Sequence, residues 1–134
     1  GESIVIRLLH GLRLLVVDDD PDTQESSRLV LEAHGAQVTI AGTAREAREA
    51  MRQLAPDVLV SDIRLPDDDG YALVRALRAS DRLRRTAAIA ISGCDDDGDG
   101  RHAFMAGYHV RLSKPVDPEL LVAAITQLTR RSAI

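Results

Sequence analysis

The sequence contains no tryptophan, one phenylalanine, two tyrosines and one cysteine. With so few rings, a core must be built from Leu, Val, Ile and Ala. A lone Cys94 excludes an internal disulfide, which suits a reducing, cytoplasmic setting. No apolar stretch is long enough to span a bilayer, and no signal peptide is visible. Positive charge is not in excess: the net charge is −4 and the pI is near 5.5. That balance argues against a general nucleic-acid surface, and nothing points to membrane contact. His10, His34, His102 and His109 form no metal-ligand grouping and read as surface or edge residues. What remains is ordinary for a folded domain: 134 residues, 45% hydrophobic and 28% charged. The chain starts at Gly1 rather than Met and is expected to be a piece of a longer or tagged protein.

Short apolar runs alternate with helix-patterned stretches. The runs lie near 12–17, 37–41, 57–61, 87–92 and 109–112, and the helical stretches near 21–34, 43–54, 70–79, 97–106 and 117–130. The runs are rich in Val and Ile and carry little charge, as strands buried on both faces do. This order predicts an α/β fold with a doubly wound parallel sheet of five strands. Local signals support the boundaries. Gly35 stops the first helix. Thr43 with Glu46 forms a capping box for the second, whose buried stripe is Ala47, Ala50, Met51 and Leu54. Asp117 and Pro118 open the last helix, with a stripe of Leu121, Ala124, Ile125 and Leu128.

The polar residues that matter follow the strands. Asp18 and Asp19 come after Leu14–Val17, Asp62 after Val58–Ser61, Ser92 after Ile89–Ile91, and Lys114-Pro115 after Leu112-Ser113. In a parallel sheet such ends share one edge, where ligands bind. Three carboxylates, a hydroxyl and an ammonium would meet there. The set suits a hard divalent cation and a phosphoryl group better than a packed core. Simple turn or cap roles are the bland alternative for each residue alone, and Asp20 reads as the cap of the first helix.

Four pieces in this order resemble the receiver domain of two-component signalling: Val16-Val17-Asp18-Asp19-Asp20-Pro21, Ser61-Asp62-Ile63-Arg64-Leu65-Pro66 with Asp69-Gly70, Ile91-Ser92-Gly93, and Leu112-Ser113-Lys114-Pro115. The resemblance covers about Leu12 to Leu128. It implies a flavodoxin-like sheet of order 2-1-3-4-5, an order familiar for receivers. It also implies phosphoryl transfer from a kinase phosphohistidine to Asp62. Mg²⁺ would be held by Asp18, Asp19, Asp62 and the Arg64 backbone carbonyl, with Asp18 acting mainly through water. Lys114 would neutralise the phosphoryl oxygens, Ser92 would bond to them, and the Lys114–Pro115 bond would be cis. The implied partners are a histidine kinase or histidine phosphotransfer domain, with a homodimer also open. Output would pass through the helix near 97–106, the strand near 109–112 and the last helix.

The sequence also departs from the family pattern. Receivers usually carry an aromatic switch residue three positions before the lysine; here it is Arg111, expected to stay on the surface, with Tyr108 out of place. Arg64 and Cys94 occupy the positions that tune phosphate lifetime. Asp95, Asp97, Asp99 and Gly100 begin like an EF-hand loop, but Ala106 stands where a bidentate Glu is required, so a solvated loop is the better reading. Gly1–Leu8 is similar to the closing strand of histidine-kinase ATP-binding domains. The division is therefore 1–11 extension, 12–130 receiver and 131–134 tail, with a hybrid histidine kinase as the expected parent and no DNA-binding domain in view. The alternatives are a stand-alone regulator, a pseudo-receiver used only for docking, and a haloacid-dehalogenase-type phosphatase with Asp18 as nucleophile. The last lacks its second acidic pair, because Asp117 and Glu119 read as a helix start.

Overall fold

The computed structural model describes residues 7–93 and 101–130. Five strands alternate with five helices. The strands are β1 (Arg13–Val17), β2 (Gln37–Ala41), β3 (Val58–Asp62), β4 (Ala87–Ser92) and β5 (Val110–Ser113). The helices are α1 (Pro21–Ala33), α2 (Ala44–Gln53), α3 (Gly70–Ala79), α4 (Arg101–Ala106) and α5 (Pro118–Thr129). All pairings are parallel and the strand order is β2-β1-β3-β4-β5, as expected.

Alternation along the strands divides the core in two. Leu14 and Val16 of β1, Val58 and Val60 of β3, and Ile89 and Ile91 of β4 face Leu31 of α1 and Leu121 and Ile125 of α5. Leu15, Val17, Leu59, Ala88 and Ala90 face Met51 of α2, Leu73 and Leu77 of α3, and Ala103 of α4. Each fully buried Leu or Ile contributes about 1.5–3 kcal/mol relative to exposure. Before β1, Leu9 is also buried, and its amide bonds to the His34 carbonyl at 2.9 Å.

The caps are largely those the sequence announces. Asp20 accepts from the Thr23 amide at 3.1 Å, Asp69 from Ala72 at 2.8 Å and Asp117 from Glu119 at 2.9 Å. Gly35 takes φ +94°, the left-handed conformation that ends a helix most cheaply in glycine. The capping box is modified: Thr43 Oγ1 accepts from the Glu46 amide at 3.0 Å, but the Glu46 carboxylate takes the Thr43 hydroxyl at 3.3 Å. Two core expectations change. Leu54 is exposed, because α2 ends at Gln53 and Leu54 turns off the helical face into extended backbone. Val122 of α5 is buried alongside Leu121 and Ile125.

Register positions the functional edge. Val17 lies beside Ser61, Asp62 beside Ile91, and Ser92 beside Ser113. The residues next in sequence, Asp18 and Lys114, therefore reach the same edge as Asp62 and Ser92.

Candidate functional site

Asp62 ends β3 and is only 2% exposed. Lys114 Nζ donates to its Oδ2 at 2.5 Å, and the Arg64 amide donates to its Oδ1 at 3.2 Å. Asp18 is buried and Asp19 exposed, and one carboxylate oxygen from each of Asp18, Asp19 and Asp62 lies within 4.8 Å of the others. Asp18 is held by its own turn: Oδ1 accepts from the Asp20 amide at 2.9 Å, and its carbonyl accepts from Gln24 Nε2 at 2.5 Å.

Burial pushes the Asp18 carboxyl above its ordinary range, and the charges of Asp62 and Asp19 push the same way. The Asp20 amide and Lys114 oppose them. Converging oxygens that raise each other's proton affinity fit a hard cation such as Mg²⁺, which takes oxygen ligands and retains waters. A depression of about 410 Å³ opens over this cluster, lined by Asp19, Asp62, Arg64, Pro66, Gly93 and Lys114.

Ser92 is fully buried, and its hydroxyl has no hydrogen-bond partner among the described residues. Such a group costs about 1–3 kcal/mol of lost solvation. It stands at the end of β4, one position beyond the register partner of Asp62, and its carbonyl accepts from the Lys114 amide at 2.9 Å. The Lys114–Pro115 bond is cis. Asp18, Asp19, Asp62, Arg64, Ser92 and Lys114 thus gather at one edge; Cys94 and the acidic run 95–100 lie outside the described residues.

The model of the family described as response regulator receiver domain matches residues 14–126. The chain belongs to that family. This receiver is 37% identical over 122 residues to an uncharacterised 14.6 kDa protein of Leptolyngbya boryana, covering 91% of this chain and 93% of that one. It is 33% identical to a response regulator of Synechocystis, covering 92% of this chain and 54% of that one. Apart from the Leptolyngbya protein, the chain spans about half the length of these curated relatives. Among solved structures, a putative response regulator from Chloroflexus aurantiacus superposes with a TM-score of 0.84 at 31% identity, covering 90% of this chain and 98% of that one. The receiver domain of a signal transduction histidine kinase from Syntrophus aciditrophicus gives 0.81 at 28%, covering 92% and 97%. Receivers of this family act in two-component signalling with histidine kinases and phosphotransfer proteins, and generally bind Mg²⁺ at an acidic pocket. Among the described residues, no helix is long and apolar enough to cross a membrane.

One residue of this receiver sits differently from expectation, and two others make contacts that the sequence does not announce. Arg111 is not fully at the surface: it is half-buried, with Nε enclosed and without a hydrogen-bond partner among the described residues. Its register partner is Ala90, so it faces the side of the sheet where alanines leave room for its stem. Tyr108 is a core residue, 3% exposed, and its hydroxyl donates to the Gly70 carbonyl at 2.7 Å. Burial raises its pKa well above the ordinary phenol value. His109 is exposed beside the edge strand, as expected, and its Nδ1 accepts from the Ala88 amide at 3.1 Å.

The sequence reading also missed why Gly70 is glycine. A Cβ there would lie 2.6 Å from the Asp62 carbonyl oxygen and 3.0 Å from the Tyr108 hydroxyl. Helix α3 therefore starts directly against the Asp62 backbone. Asp69-Gly70 was visible as a motif, but the close approach has no linear signal.

Proposed function

We propose that Asp62 accepts a phosphoryl group from the phosphohistidine of a histidine kinase or histidine phosphotransfer domain. One observation carries the reading: a buried carboxylate held by Lys114 and the Arg64 amide, with two further carboxylates and an unpartnered Ser92 hydroxyl around it. In the transfer an Asp62 oxygen forms the new O–P bond. The N–P bond to the donor histidine breaks, and its electron pair returns to the imidazole. Asp18, Asp19, Asp62 and the Arg64 carbonyl are the residues to hold Mg²⁺, which when bound supplies charge to the phosphoryl oxygens. Lys114 is already at the acceptor and shifts its contact to a phosphoryl oxygen. The Ser92 hydroxyl gains a partner there.

The new group adds about −1.5 to −2 charges. Movement of Ser92 and Lys114 toward it would shift the loop and helix up to residue 112 between two populations. The resulting surface comprises α4, β5 and α5. Arg111, enclosed next to Ala90, takes the place of the usual aromatic in that shift, and Arg64 with Cys94 sets the lifetime of the acyl phosphate. For the parent protein, the Leptolyngbya match over nearly its whole length supports a single-domain regulator, and the Syntrophus receiver supports a hybrid histidine kinase. A cytoplasmic location and a homodimer belong to the same reading.

The test is intact-mass measurement after incubation with Mg²⁺ and acetyl phosphate. One phosphoryl group should be gained, and the gain should vanish without Mg²⁺ and in Asp62→Asn. A gain that survives Asp62→Asn would move the acceptor to Asp18. No gain with any donor would leave a docking module.

A further inference from the structure

The loop that follows the acceptor is fastened at its tip to a helix that supplies nothing to the site. Both oxygens of Asp67 bind the start of α2: Oδ1 accepts from the Ala44 amide at 2.8 Å, and Oδ2 from the Arg45 amide at 3.0 Å. These are two of the donors that a helix start leaves without intrahelical partners. The third, the Glu46 amide, already goes to Thr43. Helix α2 therefore has its own cap, and a second one imported from 23 residues away serves the loop that brings it. Beside it, Arg48 pairs with Asp68 at 2.9 Å. The carboxylate of Asp67 is held below its usual pKa, chiefly by the Ala44 amide.

From Asp67 the connection runs to the acceptor in a few steps. The Leu65 amide bonds to the Asp68 carbonyl at 3.2 Å, Arg64 and Asp69 form an antiparallel bridge, and the Gly70 amide bonds to the Ile63 carbonyl at 2.7 Å. A loop closed this tightly moves as a unit. Its Arg64 amide lies on Asp62 Oδ1.

We propose that Asp67 is a positioning residue for the cation and phosphoryl site: anchored on α2, it holds the 63–69 loop so that the Arg64 backbone stays against Asp62. The proposal rests on the phosphoryl-acceptor reading of Asp62. It carries a reciprocal consequence: whatever binds at the acidic cluster also tightens the first turn of α2.

Three forms of the full chain separate this from a simple stability effect: wild type, Asp67→Ala and Thr43→Ala. Thr43→Ala frays the same helix end without touching the loop. Titration with Mg²⁺ should show about fivefold weaker binding or more in Asp67→Ala, with acetyl phosphate uptake slowed in step, while Thr43→Ala stays close to wild type in both. In wild type, Mg²⁺ should slow hydrogen exchange at the Ala44 and Arg45 amides; in Asp67→Ala that coupling should be gone. Equal losses in both variants would overturn the proposal, since the effect would then run through α2 stability. Unchanged Mg²⁺ affinity in Asp67→Ala would overturn it directly. A wild type that binds no Mg²⁺ and takes up no phosphoryl group would sink the functional reading and this proposal with it.

Discussion

The two edges of the sheet treat polar groups in opposite ways. At the C-terminal edge, carboxylates crowd together, Asp18 is pushed toward protonation and the Ser92 hydroxyl has no partner among the described residues. At the N-terminal edge, polar groups are gathered in. Arg78 donates to the Gly107 carbonyl at 3.0 and 2.7 Å, to Arg84 at 2.8 Å and to Thr86 at 2.6 Å. Arg82 closes the end of α2 through the Met51 and Arg52 carbonyls, and the Thr86 hydroxyl donates to the Pro56 carbonyl. One edge spends stability to keep donors and acceptors ready for a ligand. The other uses its guanidinium groups to tie α3, β4 and β5 together.

The sharpest way to break this contrast is Arg78→Ala. It should cost about 2–3 kcal/mol in urea unfolding, because it frees carbonyls of three residues at once, while phosphoryl uptake per folded molecule stays unchanged. A loss of uptake larger than the loss of folded protein would show that the edges are not independent. Ser92→Ala should do the reverse. Uptake should fall about tenfold, the worth of one hydrogen bond to a charged group, and stability should hold or rise slightly because an orphaned hydroxyl is gone.

Smaller effects should appear as pH slopes of opposite sign. Asp18 has a folded pKa raised from 3.8, so the folded state holds more protons than the unfolded one above that pH. Its contribution is favourable at low pH and is lost as pH rises through 3.8 toward the folded value. Asp18→Asn should flatten that part of a denaturation profile taken without Mg²⁺, and added Mg²⁺ should flatten it in wild type. His109 is lowered from 6.5 by burial and by the nearby Arg78 charge. Its contribution is present above pH 6.5 and is lost as pH falls toward the folded value, where Nδ1 must release the Ala88 amide. His109→Gln should show less acid sensitivity below pH 6.5, and an unchanged slope would count against this account of the N-terminal edge.

The C-terminal edge was legible in the sequence, and the N-terminal edge was not. Asp18, Asp62, Ser92 and Lys114 each follow an apolar run, and alternation of strands and helices places such ends together without further information. Arg78, by contrast, reads as one arginine among several on a helix; nothing in the chain announces the carbonyls it collects. Arg111 was misplaced for a related reason. Its enclosure follows from its register beside Ala90, a pairing between β4 and β5 that the linear chain does not show. Asp67 carries no signal in the sequence because its partners lie 22 and 23 residues away. Short-range patterns report which edge a residue reaches, and long-range pairing decides what it touches there.

Lys114 follows the last strand to join the sheet in sequence, and Asp62 ends the third. On a ribosome, the acceptor emerges well before the ammonium that steadies it. A nascent or truncated chain stopped short of β5 has Asp62 without Lys114, and so lacks the charge that would steady the proposed acyl phosphate. On the proposed reading, the position of one lysine makes retention of the phosphoryl group conditional on a completed chain.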